Sequence, residues 1–348
     1  MLVVRRVVES DLDPLFDLIQ QSELGLTTLA ISRDKLQERI EGSLFAFQRK
    51  TEKPSGEPYV FVMEDLSTGT IVGTSTIYSK VGGFEPFYSY LVKKSIHESP
   101  ELGIRKEIDV LHLSEEHDGP TEIGSLFLAP DYWGQGHGRL LSLSRFLFIA
   151  EFPNRFEREV IAEMRGVVDK AGHSPLWAAL GSHFFQIDFP RAETLTSQSK
   201  KFIADLMPKH PIYIPLLPQE AQQVIGRVHP NTEPALAMLK KEGFVYRNVV
   251  DIFDGGPTVH CPADQIRAVR DSRQGNVIEI APQVSSAEPL LVSNANLDFR
   301  CCLGAVHWEE NGGAVVDELT ALRLNLKQDD PIRVVPVKPP AKSPPSTP

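Results

Sequence analysis

The stretch that decides the fold is Glu122-Ile-Gly-Ser-Leu-Phe-Leu-Ala-Pro-Asp131, continued by Tyr132-Trp-Gly-Gln-Gly-His-Gly-Arg-Leu-Leu141. It reads as an apolar strand, a glycine-rich turn and the start of a helix. That order gathers free backbone N–H groups at the positive end of a helix, where phosphate or pyrophosphate binds without a lysine. Glycine at 134, 136 and 138 lets the backbone come close to the anion and adopt positive φ. The spacing is not G-x-G-x-x-G, and no Gly-Lys-Ser/Thr follows. Neither a dinucleotide site nor a nucleotide-triphosphate loop fits. The stretch predicts a phosphorylated ligand of another kind.

Outward from this centre the chain is an orderly α/β pattern. Upstream, residues 3–8 read as a strand and 11–21 as a helix, with Ser10 as its cap. A second helix is predicted over 33–48, and a β-hairpin over 59–64 and 71–78. Residues 79–120 read as mixed strand and loop. Downstream of the stretch comes an apolar helix to about Glu151, then a strand over 160–165. A short helix follows over 173–185, with Ser174 capping and Pro175 at its first position. A strand over 224–228 and a helix over 231–244, capped by Asn231 and stopped at Gly243, partly repeat that strand–helix pair. A strand over 246–253 closes this part. The domain reading is a lobe at 1–187, a second shortened lobe at 188–280, a small β-rich unit at 281–336 and a disordered tail at 337–348.

Composition narrows the function. A length of 348 residues suggests two or three domains, and 41% hydrophobic residues can build a core. A net charge of −10 gives no support for nucleic-acid binding and mildly suits a cationic substrate. The three cysteines, Cys261, Cys301 and Cys302, are no disulfide framework and point to a reducing, cytoplasmic compartment. No apolar run approaches the ~20 residues of a membrane helix. The chain contains no H-E-x-x-H, no C-x-x-C and no G-x-S-x-G, so zinc and α/β-hydrolase chemistry are not expected. Cys261 has no evident activating neighbour and reads as a passive thiol.

Gln135-Gly-His-Gly138 resembles the pyrophosphate loop of the GNAT acyltransferases, and the order of elements is theirs: strand, two helices, hairpin, strand, loop, helix. The fold class expected is therefore α/β, with tandem GNAT-like lobes and a small C-terminal β-rich domain. Longer strings are more specific. Gly25-Leu-Thr-Thr-Leu29, Glu85-Pro-Phe-Tyr88, Ala162-Glu-Met-Arg-Gly166 and Ser174-Pro-Leu-Trp177 resemble the arginine N-succinyltransferase family. So do Ala204-Asp-Leu-Met-Pro-Lys-His-Pro-Ile-Tyr213, Val228-His-Pro-Asn231 and Asp251-Ile-Phe-Asp-Gly-Gly-Pro257. The resemblance covers about residues 1–275. It implies transfer of succinyl from succinyl-CoA to the α-amine of L-arginine, and in some members of ornithine. It implies no permanently bound cofactor, since succinyl-CoA is a co-substrate. Related chains pair as two similar subunits, which implies a homo- or hetero-oligomer.

Acyl transfer needs a neutral amine, a polarised carbonyl and a proton for the leaving thiolate. The resemblance makes His229 the proton donor, a role suited to an imidazole near working pH; the residues alone favour a His that caps the following helix. It places a succinyl-CoA contact at Leu126, where splayed strands free N–H groups to polarise the thioester; plain core is the other reading. Gln135, Gly136, His137, Gly138 and Arg139 are expected to cradle the pyrophosphate. A guanidinium substrate calls for carboxylates, and Glu85, Glu122, Glu163, Asp251 and Asp254 are candidates among which the sequence does not choose. Arg165 is the candidate for the succinyl carboxylate. Two rival functions stay open: an amine acyltransferase with another donor or acceptor, and a non-catalytic CoA-binding subunit.

Overall fold

The computed structural model describes residues 1–21, 31–51, 53–196, 200–285 and 288–339. The string at 25–29 and the tail from 340 onward lie outside the described residues. β1 (Leu2–Arg6) leads into α1 (Leu12–Ile19) and α2 (Arg33–Gln48). The hairpin β2 (Pro58–Asp65) and β3 (Thr70–Tyr78) follows. Next come β4 (Gly82–Ser99), β5 (Ile104–Asp118), β6 (Thr121–Leu128), α3 (His137–Glu151) and β7 (Glu159–Glu163). The order is that expected of the acyltransferase lobe, with β4 and β5 as an added hairpin.

Local chemistry sets these boundaries. Ser32 Oγ accepts the Lys35 amide at 3.3 Å and starts α2 where the sequence predicts it. The first helix differs. Ser10 does not cap it: Asp11 is the N-cap residue, without a side-chain bond to the helix, and its Oδ2 instead accepts the amide of Val8 at 2.8 Å across the preceding 3-10 turn, while Arg5 holds the carboxylate from the other side.

A second run of elements completes the sheet. Ser174 Oγ accepts the Trp177 amide and opens a helical segment with a π-turn at Trp177–Gly181, ending in α4 (Ser182–Phe185). There follow α5 (Phe189–Thr196), α6 (Lys201–Leu206), β8 (Ile212–Tyr213), α7 (Gln219–Val224), α8 (Glu233–Lys241), β9 (Val245–Val250) and β10 (Pro257–Pro262). The strand expected at 224–228 is not formed. Gln219-Glu-Ala-Gln-Gln-Val224 are good helix formers behind Pro218 and make α7 instead, and Gly226 at φ 74° turns the chain out of it. Asn231 is not the cap of the next helix either: His229 caps the 3-10 turn Pro230–Thr232, and Thr232 is the N-cap of α8. Gly243, at φ 105°, does end α8 as expected.

The C-terminal elements are α9 (Arg267–Arg270), β11 (Arg273–Ala281), β12 (Leu290–Asn294), β13 (Arg300–Gly304), β14 (Val306–Trp308), β15 (Ala314–Asp317), α10 (Glu318–Leu324) and β16 (Pro331–Pro336). This is the β-rich unit expected. It is joined to the rest edge to edge: β13 runs antiparallel to β1, with Val4 opposite Cys301. The described strands follow one order, β14-β15-β11-β16-β12-β13-β1-β2-β3-β6-β7-β10-β9-β4-β5-β8. The segment read as a second lobe shares this sheet through β10, antiparallel to β7.

Two features of the sheet position the site. β6 and β7 are parallel and paired only at Thr121↔Val160 and Glu122↔Ile161; beyond Glu122 they part. The long hairpin leaves the chain between β3 and β6, yet it pairs with β9 through Tyr90↔Val250 and Leu91↔Val249. It therefore bridges over the fork. Behind the fork lies α3, buried on every side from Leu140 to Ile149 and so part of the core rather than a surface helix. Phe148 meets Phe61, Phe299 and Phe152 at ring distances of 4.9–5.2 Å, which ties α3 to both β2 and the C-terminal unit.

Candidate active site

The fork is built at one end by backbone. On β6 the register against β3 jumps between Thr74 and Thr76, so that Ser125 and Leu126 share the place of one partner. This is a bulge, and Ser125 sits in it at φ 50°. Leu126, half-buried, thus lies where β6 is out of step with β3 and has already left β7. Backbone groups freed in this way can point at a carbonyl oxygen.

The glycine loop follows directly. Gly134 and Gly136 have φ of 81° and 83°, the left-handed region that a side chain resists, and Gly136 is the N-cap of α3. The amides of Gly134, Gln135 and Gly136 donate to no backbone carbonyl among the described residues, and all three residues are exposed. Trp133 Nε1 anchors the loop on Leu128 O at 2.8 Å, and His137 Nδ1 lies 3.1 Å from Tyr132 O. Gln135 and His137 also line a cavity of about 350 Å³ with Tyr132, Asp65, Leu303 and Arg323. Arg139 is half-buried and makes no ion pair among the described residues. A helix N-terminus with these free amides can hold a pyrophosphate.

Side chains build the other end. Two glycine-bearing strings abut where β7 ends. The Gly166 amide donates to Asp254 Oδ2 at 2.6 Å, and the Gly256 amide to Asp254 Oδ1 at 2.7 Å. A Cβ on Gly256 would stand 2.0 Å from Met164 O, so only glycine allows this approach. Asp251 Oδ1 accepts the amides of Phe253 and Asp254 at 2.7 and 2.8 Å. Both aspartates thus shape the loop. Glu163 is different: its Oε1 is buried and has no hydrogen-bond partner among the described residues.

Glu122, Glu163, Asp251 and Asp254 feel one another. Burial pushes the Glu163 carboxyl well up, and Glu122, Asp251 and Asp254 push it further; Lys200 opposes them. Burial raises Glu122 against Lys200 and Arg39. Burial and Asp251 raise Asp254 well above the ordinary value. Glu85 stands apart from the four: its Oε1 accepts the Lys200 amide at 3.0 Å. Four of the five candidate carboxylates therefore converge on the fork, and no group of three is arranged to hold a metal among the described residues. Lys200 and Arg39 were not signalled by sequence, because each comes from a separate helical region.

His229 is fixed beside them. Its amide donates to Arg165 O at 2.8 Å, two residues past the end of β7. Its Nδ1 accepts the Asn231 amide at 3.1 Å and so caps the 3-10 turn that leads into α8. With Nδ1 an acceptor, the neutral ring carries its proton on Nε2. Arg165 borders the same strand end. Cys261 is buried and burial pushes its thiol up to about 11, which makes it unreactive.

Residues 2–268 match the family model described as arginine N-succinyltransferase beta subunit, and 273–336 match that of its C-terminal domain. An arginine N-succinyltransferase of Shigella dysenteriae serotype 1 is 48% identical over 297 residues, 85% of this chain and 86% of that protein. The arginine N-succinyltransferase of Escherichia coli strain K12 / DH10B gives the same figures. The structure of arginine/ornithine succinyltransferase subunit AI from Pseudomonas aeruginosa superposes with a TM-score of 0.89 at 33% identity, covering 97% of this chain and 99% of that one.

Proposed function

The chain belongs to the arginine N-succinyltransferase family, and on that premise we propose that it transfers succinyl from succinyl-CoA to the α-amine of L-arginine, giving N2-succinylarginine and CoA. The observation that carries this reading is the fork: it joins an anion-holding loop at the head of α3 to a group of buried carboxylates beside a histidine. An acyl-CoA and a cationic amino acid need those two ends in one cleft.

In this reading the amides at Gly134–Gly138 and the side chain of Arg139 hold the pyrophosphate, and the thioester lies along β6 with its oxygen at the bulge beside Leu126. The substrate guanidinium is held by Glu163, with Glu122 next to it; Asp251 and Asp254 keep the loop in shape. The amine attacks the thioester carbon, a C–N bond forms and the C–S bond breaks. The amine gives up a proton and the thiolate gains one, donated by His229. L-Ornithine fits the same carboxylates with an ammonium in place of the guanidinium. The proposal includes the lobes at 1–187 and 188–280, the unit at 281–336, a cytoplasmic setting and assembly with a similar subunit. No helix among the described residues is long and apolar enough to cross a membrane.

Purified protein incubated with succinyl-CoA and L-arginine is expected to release free thiol, and to do so faster than with acetyl-CoA. A folded preparation that releases none, alone or with a similar subunit, would refute the proposal.

A further inference from the structure

Arg145 is the one charged residue in the apolar run Leu140-Leu-Ser-Leu-Ser-Arg-Phe-Leu-Phe-Ile-Ala150 of α3, and it is only 2% exposed. A charge taken out of water calls for an opposite charge or a full set of hydrogen bonds. Arg145 has neither among the described residues. Its Nε and one terminal nitrogen turn back to Ser142, onto O at 3.1 Å and Oγ at 3.0 Å. The other terminal nitrogen reaches Gly124 O at 3.5 Å, a long contact. No carboxylate is among these partners. Burial accordingly lowers its pKa to about 9, still charged at neutral pH.

Other buried arginines of this protein are handled differently. Arg267 is paired with Glu242 at 2.8 Å. The half-buried Arg5 is likewise paired, with Asp11 and Glu64. Arg155, which also lacks a carboxylate, reaches four separate acceptors, Ala46 O, Arg49 O, Tyr59 Oη and Thr51 Oγ1, and lies over the Tyr59 and Phe152 rings. Arg145 has no such enclosure, and its outward arm ends at the fork. Gly124 lies two residues beyond Glu122, the last residue of β6 paired with β7, and next to the bulge at Ser125. The helix sets the depth. Arg145 is eight residues along α3 from His137, about 12 Å at 1.5 Å per residue. A donor whose pyrophosphate sits at the head of α3 and whose pantetheine arm runs along the helix brings its acyl group to that depth.

We propose that Arg145 holds the distal carboxylate of the acyl group, and so selects a dicarboxylic acyl donor over an uncharged one. The inference rests on the acyl-CoA reading of the cleft given above. It puts the succinyl carboxylate on the α3 side of the sheet, away from the carboxylates that face the acceptor: no acidic group perturbs Arg145. A planar guanidinium can grip that carboxylate with two parallel bonds, which a lysine cannot do.

The test compares succinyl-CoA with butyryl-CoA, an uncharged acyl group of the same chain length, at saturating L-arginine. Wild type, Arg145→Met, Arg145→Lys and Arg165→Met are measured for the ratio of kcat/KM between donors and for the ratio of Kd between donors by titration. Arg145→Met is expected to cut both ratios at least tenfold through loss of succinyl-CoA, with butyryl transfer kept and the KM for arginine unchanged. Arg145→Lys should fall between, and it serves if the Met variant does not fold. Arg165→Met should leave the ratios as they are. A merely structural Arg145 would lower both donors in parallel and leave the ratios intact, which overturns the proposal. A collapse of the ratios in Arg165→Met alone overturns it too. Wild type that transfers neither donor would refute the acyltransferase reading, while the Kd ratios would still judge Arg145.

Discussion

The two ends of the cleft are made in opposite ways. The anion end is one continuous piece of chain, β6, loop and the head of α3, and its groups are backbone amides set by two glycines at positive φ. The acceptor end takes Glu122 from β6, Glu163 from β7, Asp251 and Asp254 from the turn between β9 and β10, and Lys200 from the start of α6. Its groups are side chains, and four carboxylates are held together against repulsion and burial. A local motif can fix backbone geometry by itself. A charge cluster can be held only by the finished sheet.

If that contrast is real, variants at the two ends should separate cleanly. His229 stands between them, and its loss should be the largest effect: removal of an acid–base group costs about 10²–10⁴ in rate. His229→Ala should lower kcat by that order while succinyl-CoA still binds, and His229→Gln should be nearly as slow. Because Nδ1 also caps the turn at Pro230–Thr232, the Ala variant should also lose some Tm. Near-normal kcat in the Gln variant would leave capping as the whole role.

The acceptor end comes next. Glu163→Gln removes the buried oxygen that has no partner. Hydrogen bonds to charged groups contribute about 1.5–3 kcal/mol, so the KM for arginine should rise roughly 10- to 100-fold with the Kd for CoA unchanged. An unchanged KM for arginine would move the guanidinium to another carboxylate.

Gly136→Asp is the mirror experiment. A Cβ at Gly136 meets open space, so the cost is strain at φ 83° and the added negative charge, not a clash. Left-handed backbone costs about 1–2 kcal/mol for other residues, enough for a loss of CoA affinity of about tenfold or more once repulsion is added. Arginine binding should be kept. Loss of both would mean that the ends are not independent.

The smallest effect is on stability. Burial raises the Glu163 carboxyl above its ordinary 4.5, so the folded protein binds that proton more tightly than the unfolded chain. Its contribution is fully present below about pH 4.5 and is lost as pH rises through the raised folded value. Glu163→Gln should therefore gain Tm relative to wild type as pH rises, and L-arginine should narrow the gap. A gap that does not change with pH would show that the group is not held at a raised pKa.

The same contrast explains what the sequence could disclose. The loop, α2, the β2–β3 hairpin and the Ser174 opening were legible because each is settled within a few residues. The strand expected at 224–228 failed because Val, Ile and Val outweighed, in the reading, the helix formers just before them and the turn at Gly226. The reach of β4 and β5 across the fork could not be read, since β5 is largely exposed along both ends and β9, the partner of β4, lies far down the chain. At the site, the carboxylates were named but not sorted. Nothing local to Glu163 distinguishes it from Asp254, which spends its oxygens on two backbone amides. Arg145 was not singled out by the sequence, because only its position at the fork gives it meaning.

The most direct test of the central claim is the identity of the product. Purified protein should be given succinyl-CoA and L-arginine labelled with a nitrogen isotope at the α-amine, and the mixture followed by NMR together with thiol release. The account predicts one CoA released for each new amide, with the labelled nitrogen joined to the succinyl carbonyl and the guanidinium unchanged. Acylation elsewhere on arginine, or no amide from the folded protein while acetyl-CoA is used readily, would contradict it.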